Sequence, residues 1–254
     1  MSFDFINSQP PISLPSNAIV IVRDLVFAYP NLEPILRGIS LTLYPGERVA
    51  LLGATGCGKS TLLENLIGLK QPLCGEIWIQ GIPLKPKTLP QVRRIVGFSF
   101  QNADEQLFMP TILEDITFGP LNYGIPAAIA DAKARKLLAE FGLETYANRS
   151  AHELSGGQKR LAALAAILAL EPEVLILDEP TNGLDPYWRR HIALVLSKLP
   201  IKLLLIASHD LHWIGKTTQR ALVLAEGRIQ IDAPTQELLQ DAATLERYNL
   251  PLDY

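Results

Sequence analysis

Residues 48–61 read RVALLGATGCGKST. An apolar run ends in a glycine-rich segment that fits the pattern G-x-x-x-x-G-K-[ST], and a helix-forming segment follows it. Glycines let consecutive backbone N–H groups turn toward a phosphate, and the N-terminus of the helix adds partial positive charge. The stretch therefore predicts a strand, a phosphate-binding loop and a helix, with an ordinary glycine turn as the alternative. The predicted contact residues are Gly53, Ala54, Thr55, Gly56, Cys57, Gly58, Lys59, Ser60 and Thr61.

Three side chains of this loop carry separate expectations. Lys59 would reach the β- and γ-phosphates of a nucleotide, and the Ser60 hydroxyl would ligate Mg²⁺. Cys57 should not impair binding, because the backbone N–H groups hold the phosphates. Its thiol is expected either to make the site sensitive to thiol reagents or to be buried and inert.

A second candidate for chemistry is the run VLILDE at residues 174–179. Four aliphatic residues suit a strand buried on both faces, and ligands bind at the carboxyl ends of such strands in parallel sheets. Asp178 would hold Mg²⁺ through water, and Glu179 would polarise the water that attacks the γ-phosphate. The alternative is a solvated strand end without a catalytic role.

A third candidate is the sequence LSGGQ at residues 154–158, a second glycine-rich helix start. Ser155 is a good N-cap residue, and the two glycines again expose backbone N–H groups. The segment predicts another anion-binding helix terminus, with an ordinary capped helix as the alternative.

Composition sets the limits of these interpretations. The 254 residues are about 1.7 times a typical domain length, and 48% hydrophobic residues are enough for a full core. With 23 Lys and Arg against 26 Asp and Glu, the net charge of −3 predicts no nucleic-acid partner. Cys57 and Cys74 cannot form a disulfide framework, which fits a reducing compartment, and four scattered histidines predict no metal cluster.

The sequence also predicts neither a signal peptide nor a membrane span. The first basic residue is Arg23, so a positively charged n-region is missing. The apolar stretch Leu161–Leu170 has about half of the ~20 residues that a bilayer requires. Any work at a membrane is therefore expected to go through a partner.

Strand-like and helical runs alternate along the chain, which predicts an α/β fold with a parallel sheet buried on both faces. Residues 1–17 are expected to be a loose lead-in, a hairpin is expected at Gly227, and a short helix plus tail after Pro234. The predicted strands are Ala18–Val22, Ile39–Leu43, Arg48–Leu52, a hairpin-like pair Glu76–Gln80 and Ile95–Phe100, Val174–Leu177 and Lys202–Ala207. The predicted helices include Ala127–Phe141 and Pro186–Leu199.

In chain order, the motifs resemble those of an ATP-binding-cassette (ABC) ATPase from about Ala18 to Ile231. They are the phosphate loop, Gln101, LSGGQ, the aliphatic-Asp-Glu run, Gly183-Leu184-Asp185 and His209. The resemblance implies a P-loop NTPase core with a mostly parallel sheet, an N-terminal antiparallel β portion and an inserted helical subdomain. It implies ATP as the nucleotide and Mg²⁺ as the metal. The expected single domain, 1–254, has its core at about 18–101 and 166–232, the insertion at about 102–165 and a C-terminal extension at 233–254.

The resemblance also assigns single residues. Tyr29 matches the aromatic residue that stacks on adenine, and Gln101 matches the glutamine that senses Mg²⁺ and the γ-phosphate. His209 matches the switch histidine that contacts the γ-phosphate. Taken alone, Tyr29 would pass for a core residue and His209 for a structural one. The remaining residues, His152, His191 and His212, match nothing in the family pattern.

A further set of residues implies a dimer. In the family Ser155, Gly156, Gly157 and Gln158 face the nucleotide held by the other subunit, and Asp185 matches the aspartate that crosses between subunits. Two chains would therefore close head-to-tail over two ATP molecules. A homodimer is expected, and a related cassette as partner is the alternative.

The segment after Gln101 points to one branch of the family. Residues 101–108 read QNADEQLF, followed by a segment ending in Gly119-Pro120-Leu121-Asn122. This resembles the energy-coupling-factor (ECF) pattern QNPDDQLF followed by EDVAFGP, with Ala103 and Glu105 as departures. The resemblance implies the ATPase of an importer for a transition metal ion (cobalt or nickel) or a vitamin.

Membrane partners follow from the same resemblance. They are an integral coupling subunit and a substrate-binding membrane subunit, with the chain peripheral on the cytoplasmic face. Acidic Asp104 and Glu105 beside Leu107 and Phe108 suit a groove for a basic amphipathic helix, or else an acidic loop over a packed pair. The alternative functions are another ABC importer or exporter, or a soluble ABC protein acting on ribosomes, DNA or iron–sulfur assembly.

Overall fold

The computed structural model of this chain describes residue 15 and residues 17–250. Most of the predicted lead-in 1–17 and the end of the predicted tail lie outside these residues. The strands are β1 (Val20–Phe27), β2 (Leu36–Leu43), β3 (Arg48–Leu52), β4 (Cys74–Ile79), β5 (Ile82–Pro83), β6 (Val96–Ser99), β7 (Val174–Asp178), β8 (Leu203–Ala207), β9 (Arg220–Ala225) and β10 (Arg228–Pro234). The helices are α1 (Lys59–Leu66), α2 (Leu89–Ile95), α3 (Ile112–Asn122), α4 (Ala127–Glu140), α5 (Gly156–Leu168), α6 (Pro186–Lys198), α7 (Leu211–Thr217), α8 (Thr235–Gln240) and α9 (Ala242–Arg247), with 3₁₀ turns at Ala103–Glu105, Glu144–Tyr146 and Ala151–Glu153.

A six-stranded sheet of order β10-β9-β3-β8-β7-β6 organises the molecule, and all its neighbours are parallel except β10, which pairs antiparallel with β9. Every residue of β7 and β8 is buried, as the aliphatic runs predict. Alternate residues face opposite sides: Leu175 belongs to one apolar cluster and Ile176 to the other. The predicted parallel sheet with both faces covered is confirmed.

The register of this sheet places three strand ends side by side. Ala207 of β8 is paired with Leu51 of β3 on one side and with Asp178 of β7 on the other. The chain segments that follow these strands therefore leave the sheet at the same edge. They are the phosphate loop, Glu179 and the turn that carries His209.

A second, antiparallel sheet has the order β2-β1-β4-β5 and confirms the N-terminal β portion. Its first strand runs to Phe27, beyond the predicted end at Val22. The polar residues Arg23 and Asp24 interrupt the apolar pattern of this strand. The register of β1 against β2 is irregular at this point: Asp24 has φ +46° and its N–H donates to Ser40 Oγ at 2.9 Å.

The hairpin-like pair expected from residues 76–80 and 95–100 is wrong. Strand β4 pairs with β1 and β5 in the antiparallel sheet, whereas β6 pairs in parallel with β7. The short helix α2 separates the two strands. Gly97 of β6 shows how tightly this strand is buried, because a Cβ there would overlap Ile167 and Pro172. A short apolar run fits either kind of strand pairing, so the pattern alone did not decide the sheet.

Helices fill the chain between β6 and β7, where the insertion is expected. Helix α3 packs against α4 and α5, and a capping box of Thr111 and Glu114 begins it. Residues after Pro234 form two short helices rather than the single one predicted. No helix in residues 17–250 is long and apolar enough to cross a bilayer. The domain boundaries themselves stay a prediction.

Candidate functional site

A cleft of about 380 Å³ opens at the edge of the parallel sheet where β3, β7 and β8 end. It brings together residues that lie far apart in the sequence: the phosphate loop, the residue after β6, and the two segments after β7 and β8. The lining residues are Tyr29, Ile35, Thr55, Gly56, Gly58, Lys59, Ser60, Thr61, Gln101, Glu179, Asn182 and His209. Most of the predicted catalytic residues are therefore neighbours.

The glycines of the phosphate loop are required by its shape. Gly53 has φ +153°, and a Cβ there would overlap the backbone of Leu224 and the sulfur of Cys57. Gly58 has φ +107° and stands at the N-cap of α1 without a side-chain cap among the described residues. The first N–H groups of α1 are therefore free to bind an anion.

Cys57 is half-buried within the loop. Burial raises the pKa of its thiol, although Lys59 opposes that shift. A thiol with a raised pKa is largely protonated at neutral pH and reacts slowly. The structure favours the inert alternative for this cysteine.

The Lys59 side chain is buried and turned back onto the loop. Its Nζ donates to the carbonyl oxygens of Gly53 at 2.7 Å and Ala54 at 3.3 Å. An ammonium group has three donors, so this arrangement holds the charge at the centre of the loop and leaves bonding capacity for a phosphate.

Asp178 has the features of a cation ligand. It is buried at the end of β7, its Oδ1 has no hydrogen-bond partner among the described residues, and burial raises its pKa against an opposing hydrogen bond from Ser60. A buried carboxylate oxygen without a partner, beside a hydroxyl, fits the oxygen ligands that Mg²⁺ prefers. Mg²⁺ usually takes one or two carboxylates plus substrate phosphates, so a single carboxylate and a hydroxyl are enough ligands from the protein.

Glu179 and His209 form a contact that the sequence did not predict. His209 Nδ1 lies 2.9 Å from Glu179 Oε2, and the His209 backbone N–H donates to the same oxygen at 3.3 Å. Glu179 is buried and has φ +46°, a left-handed conformation that costs energy for a residue with a side chain. The backbone and the histidine together hold one carboxylate at the cleft.

Tyr29 and Gln101 lie at the rim of the cleft. The Tyr29 hydroxyl is 3.2 Å from Thr61 Oγ1, its ring packs edge-on against Phe27, and Lys70 Nζ lies 5.1 Å from its centroid. Gln101 is exposed just after β6. Both positions are compatible with the roles that the resemblance implies. Asn182 also lines the cleft, and nothing in the sequence distinguished it.

The remaining predicted contact residues do not line this cleft. Ser155 begins α5 with a capping box: Ser155 Oγ accepts from Gln158 N–H at 3.4 Å, and Gln158 Oε1 accepts from Ser155 N–H at 2.8 Å. Gly156 is exposed and Gly157 is buried. Asp185 is exposed and caps α6 by accepting from the N–H of Trp188 at 3.0 Å. Within one chain these residues form a second, separate group.

The segment after Gln101 differs from the groove expected of it. Leu107 is buried, and Asp104 is paired with Lys159 at 2.6 Å, so neither contributes a free side chain. Phe108 is 62% exposed, and its ring lies 4.9 Å from that of Phe118, which is 41% exposed. This surface therefore presents an exposed aromatic pair close in sequence to the exposed carboxylate of Glu105, without Leu107.

Asp115 holds the loop that carries Phe108. Its Oδ1 accepts from the N–H groups of Phe108 and Met109, both at 2.9 Å, and its Oδ2 is buried without a partner among the described residues. Burial raises the pKa of this carboxyl, although those two hydrogen bonds oppose the shift. The loop is therefore fixed by a carboxylate that is costly to ionise.

This raised pKa predicts a pH dependence of stability. The folded state binds the Asp115 proton more tightly than the unfolded state, so the free energy of unfolding falls as pH rises through the interval between the two pKa values. Relative to Asp115→Asn, wild type should therefore lose stability from about pH 4 upward until the carboxyl is ionised in both states. Urea unfolding of both proteins between about pH 4 and 7 measures this difference. A difference that stays constant over that range would contradict the raised pKa.

Comparisons with known proteins agree with this geometry. The ABC transporter family profile matches residues 36–182. The chain is 41% identical over 238 residues to the energy-coupling factor transporter ATP-binding protein EcfA of Methanocaldococcus jannaschii, covering 92% of this chain and 85% of the relative.

Two solved structures resemble the fold. One is CbiO1 of Clostridium perfringens, described as part of the ABC transporter complex CbiONQ, with a TM-score of 0.79 and 32% identity over 93% of this chain and 96% of the other. The second is the ATP-binding cassette MJ0796 as a dimer in a post-hydrolysis state with ADP and Pi, with a TM-score of 0.77 and 28% identity over 85% of this chain and 98% of the other.

Proposed function

This chain belongs to the ABC transporter ATP-binding family, and from that premise we propose that it is the ATPase subunit of an energy-coupling-factor importer. ATP binding and hydrolysis follow from the family. The importer assignment is supported by the similarity to an energy-coupling factor transporter ATP-binding protein and to CbiO1, and the exposed Phe108–Phe118 pair offers a surface for a membrane subunit. We propose a transition metal ion (cobalt or nickel) or a vitamin as the transported substrate.

In the proposed mechanism the loop and Lys59 bind the phosphates of ATP. Backbone N–H groups of residues 53–61 surround the phosphates, and the Lys59 ammonium neutralises their charge. Tyr29 stacks on the adenine. Ser60, Asp178 and Gln101 would hold Mg²⁺, which neutralises charge on the phosphate oxygens when bound.

The carboxylate of Glu179 is the proposed general base. It accepts a proton from the attacking water, and its position is fixed by the strained backbone and by His209. Because His209 is 62% exposed, its ring is free to contact the γ-phosphate while the Nδ1 side stays at Glu179. The pair thereby links the state of the phosphate to the position of the base.

A second subunit completes each site in this proposal. Ser155, Gly156, Gly157, Gln158 and Asp185 lie outside the cleft of their own chain, and Ser155, Gly156 and Asp185 are exposed. Two chains that close head-to-tail would bring these residues onto the nucleotide of the partner. We propose a homodimer that closes on ATP and opens after hydrolysis, with a related ABC ATPase as the alternative partner.

The proposed membrane partners are an integral coupling subunit and a substrate-binding subunit. A helix of the coupling subunit would dock on Phe108 and Phe118, which places the chain peripherally on the cytoplasmic face of the membrane. Arg93 and Arg94 line a groove of about 220 Å³ together with these two rings. The two arginines beside the rings and the exposed Glu105, three residues before Phe108, carry opposite charges and suit a helix with both acidic and basic side chains.

Replacing Phe108 by aspartate tests this docking surface. A charge in place of an aromatic anchor that the proposed interface would bury should abolish the association with the membrane subunit, because such anchors contribute most of the binding energy of an interface. The ATPase activity of the free chain should remain, since Phe108 does not line the nucleotide cleft. The measurement is co-purification of integral membrane proteins from detergent-solubilised membranes, identified by mass spectrometry.

Leu73→Asp is the matched control, because Leu73 is 67% exposed and lies just before β4 of the antiparallel sheet. The same membrane proteins should be captured by wild type and by the Leu73 variant but not by Phe108→Asp. Equal capture by all three would contradict the docking surface. Recovery of ribosomes or DNA in place of a membrane protein would contradict the importer.

A further inference from the structure

Trp188 lies against Gly157, so one contact joins the beginnings of α6 and α5. Gly157 is buried, and a Cβ added to it would overlap the indole ring. The neighbouring Gly156 differs, because a Cβ there would meet open space. Both glycines are in the first turn of α5. The ring therefore supports one glycine of the pair and leaves the other free.

Several hydrogen bonds hold the backbone around Trp188 at the start of α6. Its backbone N–H donates to Asp185, the cap of α6, at 3.0 Å. Its neighbour Arg189 donates to the carbonyl of Leu184 at 2.9 Å and pairs with Asp210 at 2.9 Å. The indole is thus carried by a helix start that has several independent attachments.

These attachments lead back to the cleft. Asp210 directly follows His209, which lies 2.9 Å from Glu179. A continuous set of packed and bonded groups therefore runs from Glu179 through His209, Asp210 and Arg189 to Trp188. It ends at Gly157, in the helix start that carries Ser155.

We propose that Trp188 is a positioning residue for ATP hydrolysis, which sets the place of the Ser155–Gly157 helix start relative to Asp185 and His209. The inference rests on the proposed function, in which Ser155 and Gly156 face the nucleotide of the partner. A large, rigid indole transmits a shift of α6 to α5 because it has few rotamers and lies directly against Gly157. A smaller side chain would leave the start of α5 free to move.

A double-mutant cycle between the two residues tests the contact. Trp188→Ala should lower kcat about 10-fold, with KM for Mg-ATP within about twofold, because the cleft of the same chain is unchanged. Gly157→Ala should lower kcat about 100-fold, since its methyl group displaces the ring and with it the helix start. The double variant Trp188→Ala/Gly157→Ala should recover to about the level of Trp188→Ala alone, because the added methyl group then has room.

Gly156→Ala is the matched control. Trp188→Ala should not rescue it, because, apart from its chain neighbours and helix backbone, no atom of residues 17–250 lies within 4 Å of its added Cβ. Trp188→Phe should recover most of the kcat lost in Trp188→Ala, but it should not rescue Gly157→Ala, because a ring at position 188 still meets the added methyl group. A Gly157→Ala protein with normal kcat, or a double variant no better than Gly157→Ala, would overturn the proposal.

Thermal unfolding of the same variants separates the two proposals. The contact predicts that the changes in Tm caused by Gly157→Ala and by Trp188→Ala do not add up in the double variant, even if the protein does not hydrolyse ATP. Non-additive midpoints with an inactive wild type would contradict the proposed function and leave the contact intact. Additive midpoints together with additive kcat values in an active protein would contradict the role of Trp188 alone.

Discussion

Replacing Glu179 by glutamine is expected to lower the rate of ATP hydrolysis about 1,000-fold, the range of a lost general base. The amide is nearly isosteric with the carboxylate and keeps an oxygen for His209, but it cannot accept the proton of the attacking water. ATP binding should persist, because the loop residues and Lys59 are untouched. The variant should therefore accumulate with uncleaved ATP, measured as retained nucleotide after gel filtration.

Glu171→Gln is a matched control for this prediction. Glu171 also has a left-handed backbone, with φ +51°, but it precedes β7 and pairs with Lys133 at 2.8 Å, far from the cleft. Its rate of hydrolysis should equal that of wild type. Normal turnover by Glu179→Gln would remove this residue from the role of base, and an equal loss in both variants would assign the effect to the strained backbone.

Replacing Lys59 by alanine is expected to weaken ATP binding about 100-fold, because charge-assisted hydrogen bonds to phosphate are among the strongest polar contacts. The lost ammonium is buried and lies 2.7 Å from the Gly53 carbonyl, so it is already positioned for the phosphates before they bind. Lys59→Arg should not restore binding, since a planar guanidinium does not fit where a compact ammonium is enclosed. Titration calorimetry with Mg-ATP measures both variants.

Lys202→Ala is the control for this second prediction. Lys202 pairs with Glu173 at 2.6 Å, at the opposite edge of the sheet from the cleft. Its affinity for Mg-ATP should be unchanged. If Lys59→Ala binds ATP as well as this control does, the proposed role of Lys59 is wrong.

Sequence patterns predicted the elements of the fold whose conformation depends on neighbouring residues alone. The strand, glycine loop and helix around residues 48–61 follow from steric freedom and helix polarity, which neighbouring residues determine. The run ending at Asp178 likewise predicted a buried strand, because uniform aliphatic character requires two covered faces. Both predictions are confirmed in the fold, while the catalytic and binding roles of the residues stay proposals.

Contacts between distant segments could not be predicted in the same way. Glu179 and His209 are separated by 30 residues, and their bond depends on the register of β7 against β8. The apolar run of β6 does not reveal its partner β7, since the pairing depends on tertiary packing such as that around Gly97. Leu107 and Phe108 have similar hydrophobicity, and only the fold decides which of the two is buried.

The proposed closure of two chains over ATP is tested by the mass of Glu179→Gln in solution with Mg-ATP and with Mg-ADP, by light scattering coupled to gel filtration. If each nucleotide is enclosed by the loop of one chain and the Ser155 helix start of the other, as proposed, the variant is a dimer with ATP and a monomer with ADP. Adding Ser155→Arg to this variant should prevent the dimer while each chain still binds ATP. A monomer under all conditions, or a dimer that Ser155→Arg leaves intact, would contradict the claim.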